Sequence, residues 1–397
     1  MKILMINKGD TGGGGYKVVW DLANGLVEAG HEVNMFVQDK ITASPMVKVI
    51  PRSRWRFYLS HLLGTDFDWF KTDFILDTQE FKEADIVHIN NIHSHYFNLK
   101  TLAKICELKP VVWTFHDLWP VTSFGPHPLD KTIHDGFYWS PTWSTRSMVK
   151  KINQRYLIAR KREVYKKIKF NITVPSKYMQ NMLKGTTLDK FPISLIYNGI
   201  DTQIFKPQDK AEARAKLDLP QNKKIFLFVA NKGMANSWKG ANYFSEVIKH
   251  FAGNLDVLFL CIGGNKNDDY QNVKFLDFIN DSEILSSYYS AVDGLVFPSL
   301  AESFGLVVVE AISTGTPVIA FGVGIVLEAI EHKSNGYIAD YQSSQSLIDG
   351  VEFIMSLDEA QMAEMRQANR AKVLNKFDKK IMVESFQRLY NQMLKNI

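Results

Sequence analysis

The chain is 397 residues long, more than one hydrophobic core usually organises, so two domains are expected. With 46 % hydrophobic and 22 % charged residues the composition is that of a globular protein, not of a disordered or fibrous one. Its two cysteines, Cys106 and Cys261, and the lack of any run of about 18 apolar residues exclude a disulfide framework, a cysteine zinc site and a spanning helix.

The opening "MKILMINKGD" has too short an apolar run for a signal peptide, and a cytoplasmic location is expected. "KILMIN" reads as a strand, "KGDTGGGG" as a glycine-rich loop, Tyr16 to Ala29 as a helix and "EVNMFVQ" as a second strand, the start of a doubly wound domain. Residues 51 to 78 are aromatic and irregular and read as an insertion; "ADIVHIN", "PVVWTFHD" and "FNITVPS" read as further strands. The polar run from Asn198 to Lys224 is the expected crossover between domains. The expected division is therefore 1–197, 198–380 and a helix over 381–397 that packs back on the first domain. Beyond the crossover, strands alternate again through "KIFLFVAN", "DVLFLCIGG", "VKFLDF", "DGLVFPS" and "PVIAFG". Two such halves imply a cleft, the usual seat of a ligand.

Charge is unevenly spread. Residues 1 to 200 hold 27 Lys and Arg against 18 Asp and Glu, and nine of those basic residues lie in 150–169, with one acid. There Ile152, Tyr156, Ala159, Val164 and Ile168 recur at roughly helical spacing. Two readings fit that periodicity: a basic helix on an anionic membrane surface, or a domain helix with its apolar stripe on the core. Nucleic acid is not an expected partner, since no binding module is recognisable.

In "FPSLAESFGLVVVEAISTGTPVIAFG", Glu302 and Glu310 stand eight positions apart. Strand, loop, helix and strand follow one another there. The loop carrying Glu302 falls at the ligand-binding edge of a parallel sheet, and Glu310 falls more than one turn into a helix from Leu306 to Thr314. The N–H groups near Phe304, Gly305 and Leu306 lack helical partners and suit a phosphate, while ionised carboxylates suit sugar hydroxyls. Together these describe a nucleotide-sugar.

The order of "TGGGGYKVVWDLANGLVEAGHEV", "FHDLWP", "VPSKYM", "YNGID", "WKG", "DGLVFPSLAESFGLVVVEAISTGTPVIA" and "NGYIAD" resembles glycosyltransferase family 4, retaining enzymes with the GT-B fold, over nearly the whole chain. The resemblance implies two Rossmann-like α/β domains facing across a cleft, and a sugar moved from a nucleoside diphosphate to a glycan or lipid-linked acceptor hydroxyl with retention. It implies that Glu310 binds the ribose, that Glu302 meets the transferred sugar, and that Phe304, Gly305 and Leu306 give N–H groups to the diphosphate. Lys239 of "WKG" matches the family's diphosphate lysine, and Lys232 or Asn231 stands near the place of its usual second cation, an arginine. Gly14 and Gly15 match glycines that approach the diphosphate and acceptor. His116 matches a histidine near the transferred sugar, with Asp117 orienting its ring or binding acceptor. Bacterial surface polysaccharide or glycolipid assembly is the role such relatives commonly have.

Negative charge growing on the leaving diphosphate would be met by Lys239 and the helix start, so no metal or other cofactor is expected. A front-face transfer is the favoured route, with Glu302 as a covalent nucleophile the alternative. "DFD" at residues 66 to 68 lies outside any strand-end frame, and His127 and His134 read as surface loop residues rather than metal ligands. A nicotinamide-dependent enzyme with Asp39 on the ribose fails, because Lys17 or Val18 stands where the third glycine should be. A sugar-nucleotide epimerase and a binding-only subunit remain as rivals.

Overall fold

The computed structural model describes residues 1–65, 69–128, 132–138, 153–264 and 271–396. It divides into two compact units, Met1–Asn198 with Lys379–Ile397, and Gly199–Asp378. The "DFD" string and the start of the 150–169 run lie outside the described residues.

Unit 1 holds β1 (Lys2–Gly9), β2 (Glu32–Asp39), β3 (Val47–Val49), β4 (Ile86–Ile89), β5 (Val111–Thr114), the small antiparallel pair β6 (Ile133–His134) and β7 (Phe137–Tyr138), β8 (Asn171–Val174) and β9 (Ile193–Leu195). Seven of them form a parallel sheet in the order β3-β2-β1-β4-β5-β8-β9. β4 and β5 are buried along their whole length, as strands covered on both faces must be. The order reverses between β1 and β4, and such a switch point opens a crevice outside the carboxyl ends of the strands.

The first helix spans Gly14–Glu28, so Gly14 and Gly15 form its first turn rather than the loop before it; Gly13 is the cap. Against it packs the Lys379–Lys395 helix. Gly25 lets the two approach, since a Cβ there would stand 2.5 Å from Val383 Cγ2. Deeper in, His88 is held on both ring nitrogens, by Tyr390 Oη (2.7 Å) and Thr114 Oγ1 (2.6 Å). The 51–78 stretch is not irregular throughout, for it contains a helix, Arg54–Leu62.

The basic run forms a helix over Gln154–Tyr165. Its buried face is Leu157, Ile158, Val164 and Tyr165, which join the core of the unit, while the expected stripe residues Tyr156 and Ala159 are exposed. Lys161 is fully buried, its Nζ donating to the carbonyls of Trp119 (2.6 Å) and Thr122 (2.9 Å). Charge alone could not distinguish this inward lysine from its exposed neighbours. It anchors the turn that follows β5.

Unit 2 holds β10 (Lys224–Val229), β11 (Val257–Ile262), β12 (Val273–Leu276), β13 (Gly294–Phe297), β14 (Val318–Phe321) and β15 (Gly336–Ala339), parallel and in the order β12-β11-β10-β13-β14-β15. Phe226, Phe228, Phe244, Phe251 and Phe259 fill the core on one face of that sheet. Its order reverses between β10 and β13, the two strands whose following loops carry Lys232, Lys239 and Glu302.

Candidate functional site

In unit 2 the chain leaves β10 through two turns of 3₁₀ helix, Gly233–Ala235 and Ser237–Lys239. Lys232 precedes the first, exposed and left-handed at φ 67°. Lys239 ends the second, and Gly240 follows at φ 79°. A Cβ on Gly240 would stand 1.8 Å from the Pro298 carbonyl oxygen, so only glycine lets this turn lie against the loop after β13. That loop is pinned by three hydrogen bonds: Leu300 N–H to the Trp238 carbonyl (2.9 Å), Tyr341 Oη to the Leu300 carbonyl (2.9 Å) and Ile325 N–H to the Phe304 carbonyl (2.7 Å). Lys239 Nζ and Glu302 Oε1 consequently form an ion pair.

Gly305 caps the next helix, Leu306–Ser313, at φ 99°, a conformation costly for any residue with a side chain. Val308 N–H closes the first turn on the Gly305 carbonyl (3.0 Å), the N–H groups of Leu306 and Val307 precede that bond, and Phe304 is buried. Glu310 lies in its second turn and is buried, with Tyr289 Oη donating to its Oε2 at 3.0 Å. Burial and that carboxylate hold the Tyr289 phenol well above its ordinary pKa, so it stays a donor. Thus Lys239 and Glu302 meet beside a glycine-capped helix start, and Glu310 is oriented separately from below. Gly240, Tyr289 and Tyr341 were not singled out from sequence. Of these, only Gly240 carried a signal, as the last letter of "WKG".

In unit 1 the switch-point crevice is lined by polar groups. Asn91 donates from its backbone and side chain to Asn7 Oδ1, both at 3.2 Å. The helix turn at Gly14 and Gly15 comes down beside it: a Cβ on Gly15 would lie 3.7 Å from Asn91 Nδ2 and 3.8 Å from His116 Cβ. His116 is close to the end of β5, its Nε2 2.9 Å from Asn90 Oδ1. Burial, offset in part by Asp117, pushes its pKa down to about 4, so the ring is neutral at pH 7.

Asp117 does not orient the His116 ring. It receives the Trp119 N–H (2.8 Å) and lies 2.7 Å from His93 Nε2. Burial alone would raise its pKa, but His93, the Trp119 N–H and His127 together hold it below the usual carboxylate range. His127, expected on the surface, is buried, whereas His134 is exposed as expected. His93 carried no sequence signal, because its partner comes from another strand end 24 residues on.

The model of the family described as glycosyltransferase family 4 matches residues 12–204, and that described as glycosyl transferases group 1 matches residues 209–372. An uncharacterized glycosyltransferase of Methanocaldococcus jannaschii is 26 % identical over 358 residues, 84 % of this chain and 83 % of that one. Among solved structures, sucrose-phosphate synthase from Thermosynechococcus elongatus superposes with a TM-score of 0.72 at 20 % identity, covering 100 % of this chain and 99 % of its own. HepE from Anabaena, solved with UDP-glucose, gives a TM-score of 0.67 at 18 % identity, with both chains covered in full (100 %). These likenesses give the fold as GT-B. No helix among the described residues is long and apolar enough to cross a membrane.

Proposed function

The chain belongs to glycosyltransferase family 4, and we propose that it transfers a sugar from a nucleoside-diphosphate sugar to an acceptor hydroxyl with retention, in polysaccharide or glycolipid synthesis. The observation that carries this reading is the Lys239–Glu302 pair beside the Gly305-capped helix, with Glu310 held by Tyr289. A cation and a row of N–H groups suit a diphosphate, and a carboxylate on either side suits the hydroxyls of the two sugars attached to it.

In this reading Lys239 and the N–H groups of Gly305 and Leu306 stabilise negative charge on the departing diphosphate, so the reaction runs without a metal. Glu310 accepts from the ribose and Glu302 from the transferred sugar. Lys232, in a left-handed turn after β10, serves as the second cation in place of an arginine. In unit 1, Gly14 and Gly15 admit close backbone approach. His116, neutral and anchored by Asn90, donates or accepts at the sugar without bringing a charge. The leaving phosphate oxygen takes the acceptor's proton.

The test is a thermal-shift panel of nucleoside diphosphates and nucleotide-sugars, followed by turnover of the best donor with candidate acceptors. A ligand that binds only the native state raises the melting temperature. Stabilisation by a nucleoside diphosphate, acceptor-dependent release of that diphosphate, and a product of unchanged anomeric configuration are expected. Turnover without acceptor would point instead to epimerisation, and no shift with any nucleotide would refute the reading.

A further inference from the structure

The Arg54–Leu62 helix carries three of its five apolar side chains on the solvent side, while Phe57 and Leu59 are half-buried. Trp55, Tyr58 and Leu62, at i, i+3 and i+7, are 61 %, 70 % and 72 % exposed. The helix's one buried residue is Ser60. On a globular domain a stripe with this spacing ordinarily faces the core, and exposed apolar surface of this kind marks a contact. Leu63 and Trp69 extend it.

The charged residues interleaved with the stripe are arginines. Arg52 lies over the Phe57 ring (4.4 Å to its centroid), and Arg56 over Trp55 (4.8 Å), with its Nη1 donating to the Trp69 carbonyl (2.9 Å). Residues 51 to 71 hold Arg52, Arg54, Arg56 and Lys71 against Asp66 and Asp68, so the segment is net positive. Guanidinium groups held at the level of aromatic rings are what a lipid headgroup layer accommodates: indole, phenol and leucyl groups enter the acyl boundary while the cations stay with the phosphates. Three side chains exposed at i, i+3 and i+7 of a short helix also suit a deformable planar phase better than a shaped protein socket.

We propose that this helix seats the protein on an anionic membrane surface. The inward side of the helix indicates what is thereby brought to the membrane. Ser60 Oγ is 2.8 Å from His95 Nδ1, and the His61 and His95 rings stack with centroids 3.7 Å apart. Ser94 and His95 both take positive φ, 75° and 63°, and that bend carries the chain back to His93 and its pair with Asp117, next to His116. The membrane-facing helix is thus packed directly on the segment that lines the unit 1 crevice, where a lipid-linked acceptor would be received. Receipt of the acceptor rests on the glycosyl-transfer reading; the membrane contact does not. The Gln154–Tyr165 helix is a poorer candidate, since its apolar face is already in the core.

The experiment is co-sedimentation of the full chain with vesicles of phosphatidylcholine and phosphatidylglycerol in equal parts, with pure phosphatidylcholine as the neutral probe. The wild type should sediment with the anionic vesicles and lose that binding at high salt. Combined Trp55→Ser, Tyr58→Ser and Leu62→Ser should lower partitioning more than about tenfold, and Arg52→Gln or Arg54→Gln about fivefold each. Lys166→Gln with Lys167→Gln should change it less than either arginine variant. Because the serine positions are exposed, an unchanged melting temperature is expected and verifies the fold; Trp55→Gln alone serves if the triple variant unfolds. Equal sedimentation of wild type and variants, no wild-type binding to anionic vesicles, or self-association of the wild type that the serine variant abolishes without any vesicle binding would each overturn the proposal. None of these readouts needs donor or acceptor, so they stand or fall apart from the glycosyl-transfer reading.

Discussion

Replacing Lys239 and Glu302 separately distinguishes a ligand-binding pair from a merely structural one. The side chains are 26 % and 12 % exposed, so the pair keeps some solvent, and removing one partner should cost about 1–2 kcal/mol of stability, less than the roughly 3–5 kcal/mol of a fully buried pair. A structural bridge would show only that loss, from either side. If Lys239 meets the diphosphate, Lys239→Met removes charge-assisted hydrogen bonds worth about 1.5–3 kcal/mol, and nucleoside diphosphate affinity should fall about ten- to a hundredfold. Glu302→Gln should behave in the opposite way towards the same ligand. The free protein holds Lys239 against Glu302, so neutralising the carboxylate releases the lysine, and a nucleoside diphosphate, which lacks the transferred sugar, should bind as well as before or more tightly. Turnover of the complete nucleotide-sugar should nevertheless drop, because the sugar hydroxyls lose their acceptor. Isothermal titration with the diphosphate and a turnover assay with its sugar read the two effects apart. Undiminished diphosphate affinity in Lys239→Met, or parallel losses in both variants, would refute the assignment.

Glu310→Gln should weaken nucleotide binding about tenfold with little change in melting temperature, whereas Tyr289→Phe, which takes a donor from a buried carboxylate, should cost about 1–3 kcal/mol of stability in urea unfolding. Gly240→Ala should be destabilising by about 2–4 kcal/mol, since it combines a left-handed backbone with a Cβ 1.8 Å from the Pro298 carbonyl oxygen; a wild-type midpoint would show that the turn can move away. Burial pushes the pKa of His88 down to about 3 and of His116 down to about 4, below the ordinary 6.5 of the unfolded chain. Their contribution is complete above about pH 6.5 and is lost as the pH falls toward 4 and 3, at about 1.4 kcal/mol per pH unit for each histidine, so urea midpoints should drop steadily below neutrality. A flat profile would mean that the rings take up protons within the fold. Activity should persist in excess EDTA, because Lys239 and the helix N–H groups supply the positive charge; loss of turnover that Mg²⁺ or Mn²⁺ restores would contradict a metal-free mechanism.

Local order was legible from the residues themselves. Alternating apolar runs and helical periods gave two αβ halves, and the frame around Glu302 and Glu310 placed one carboxylate in a loop and the other in a helix, because those inferences depend on spacings of a few residues. Helix starts were less legible: Gly14 and Gly15 read as loop, yet the tertiary setting folds them into the first turn. What required the fold was every relation between distant segments. Strand order sets the switch points between β1 and β4 and between β10 and β13, and so decides that Lys239 and Glu302, 63 residues apart, meet at one edge. It also decides that Asp117 pairs with His93 rather than with the adjacent His116. The same limit explains the two amphipathic helices. Periodicity shows that a helix has an apolar face but not what covers it: the Gln154–Tyr165 helix turns its face, and even Lys161, into the core, while the Arg54–Leu62 helix presents Trp55, Tyr58 and Leu62 to solvent. Hydrophobicity is a property of a side chain, whereas burial belongs to the neighbours that the chain's path brings to it.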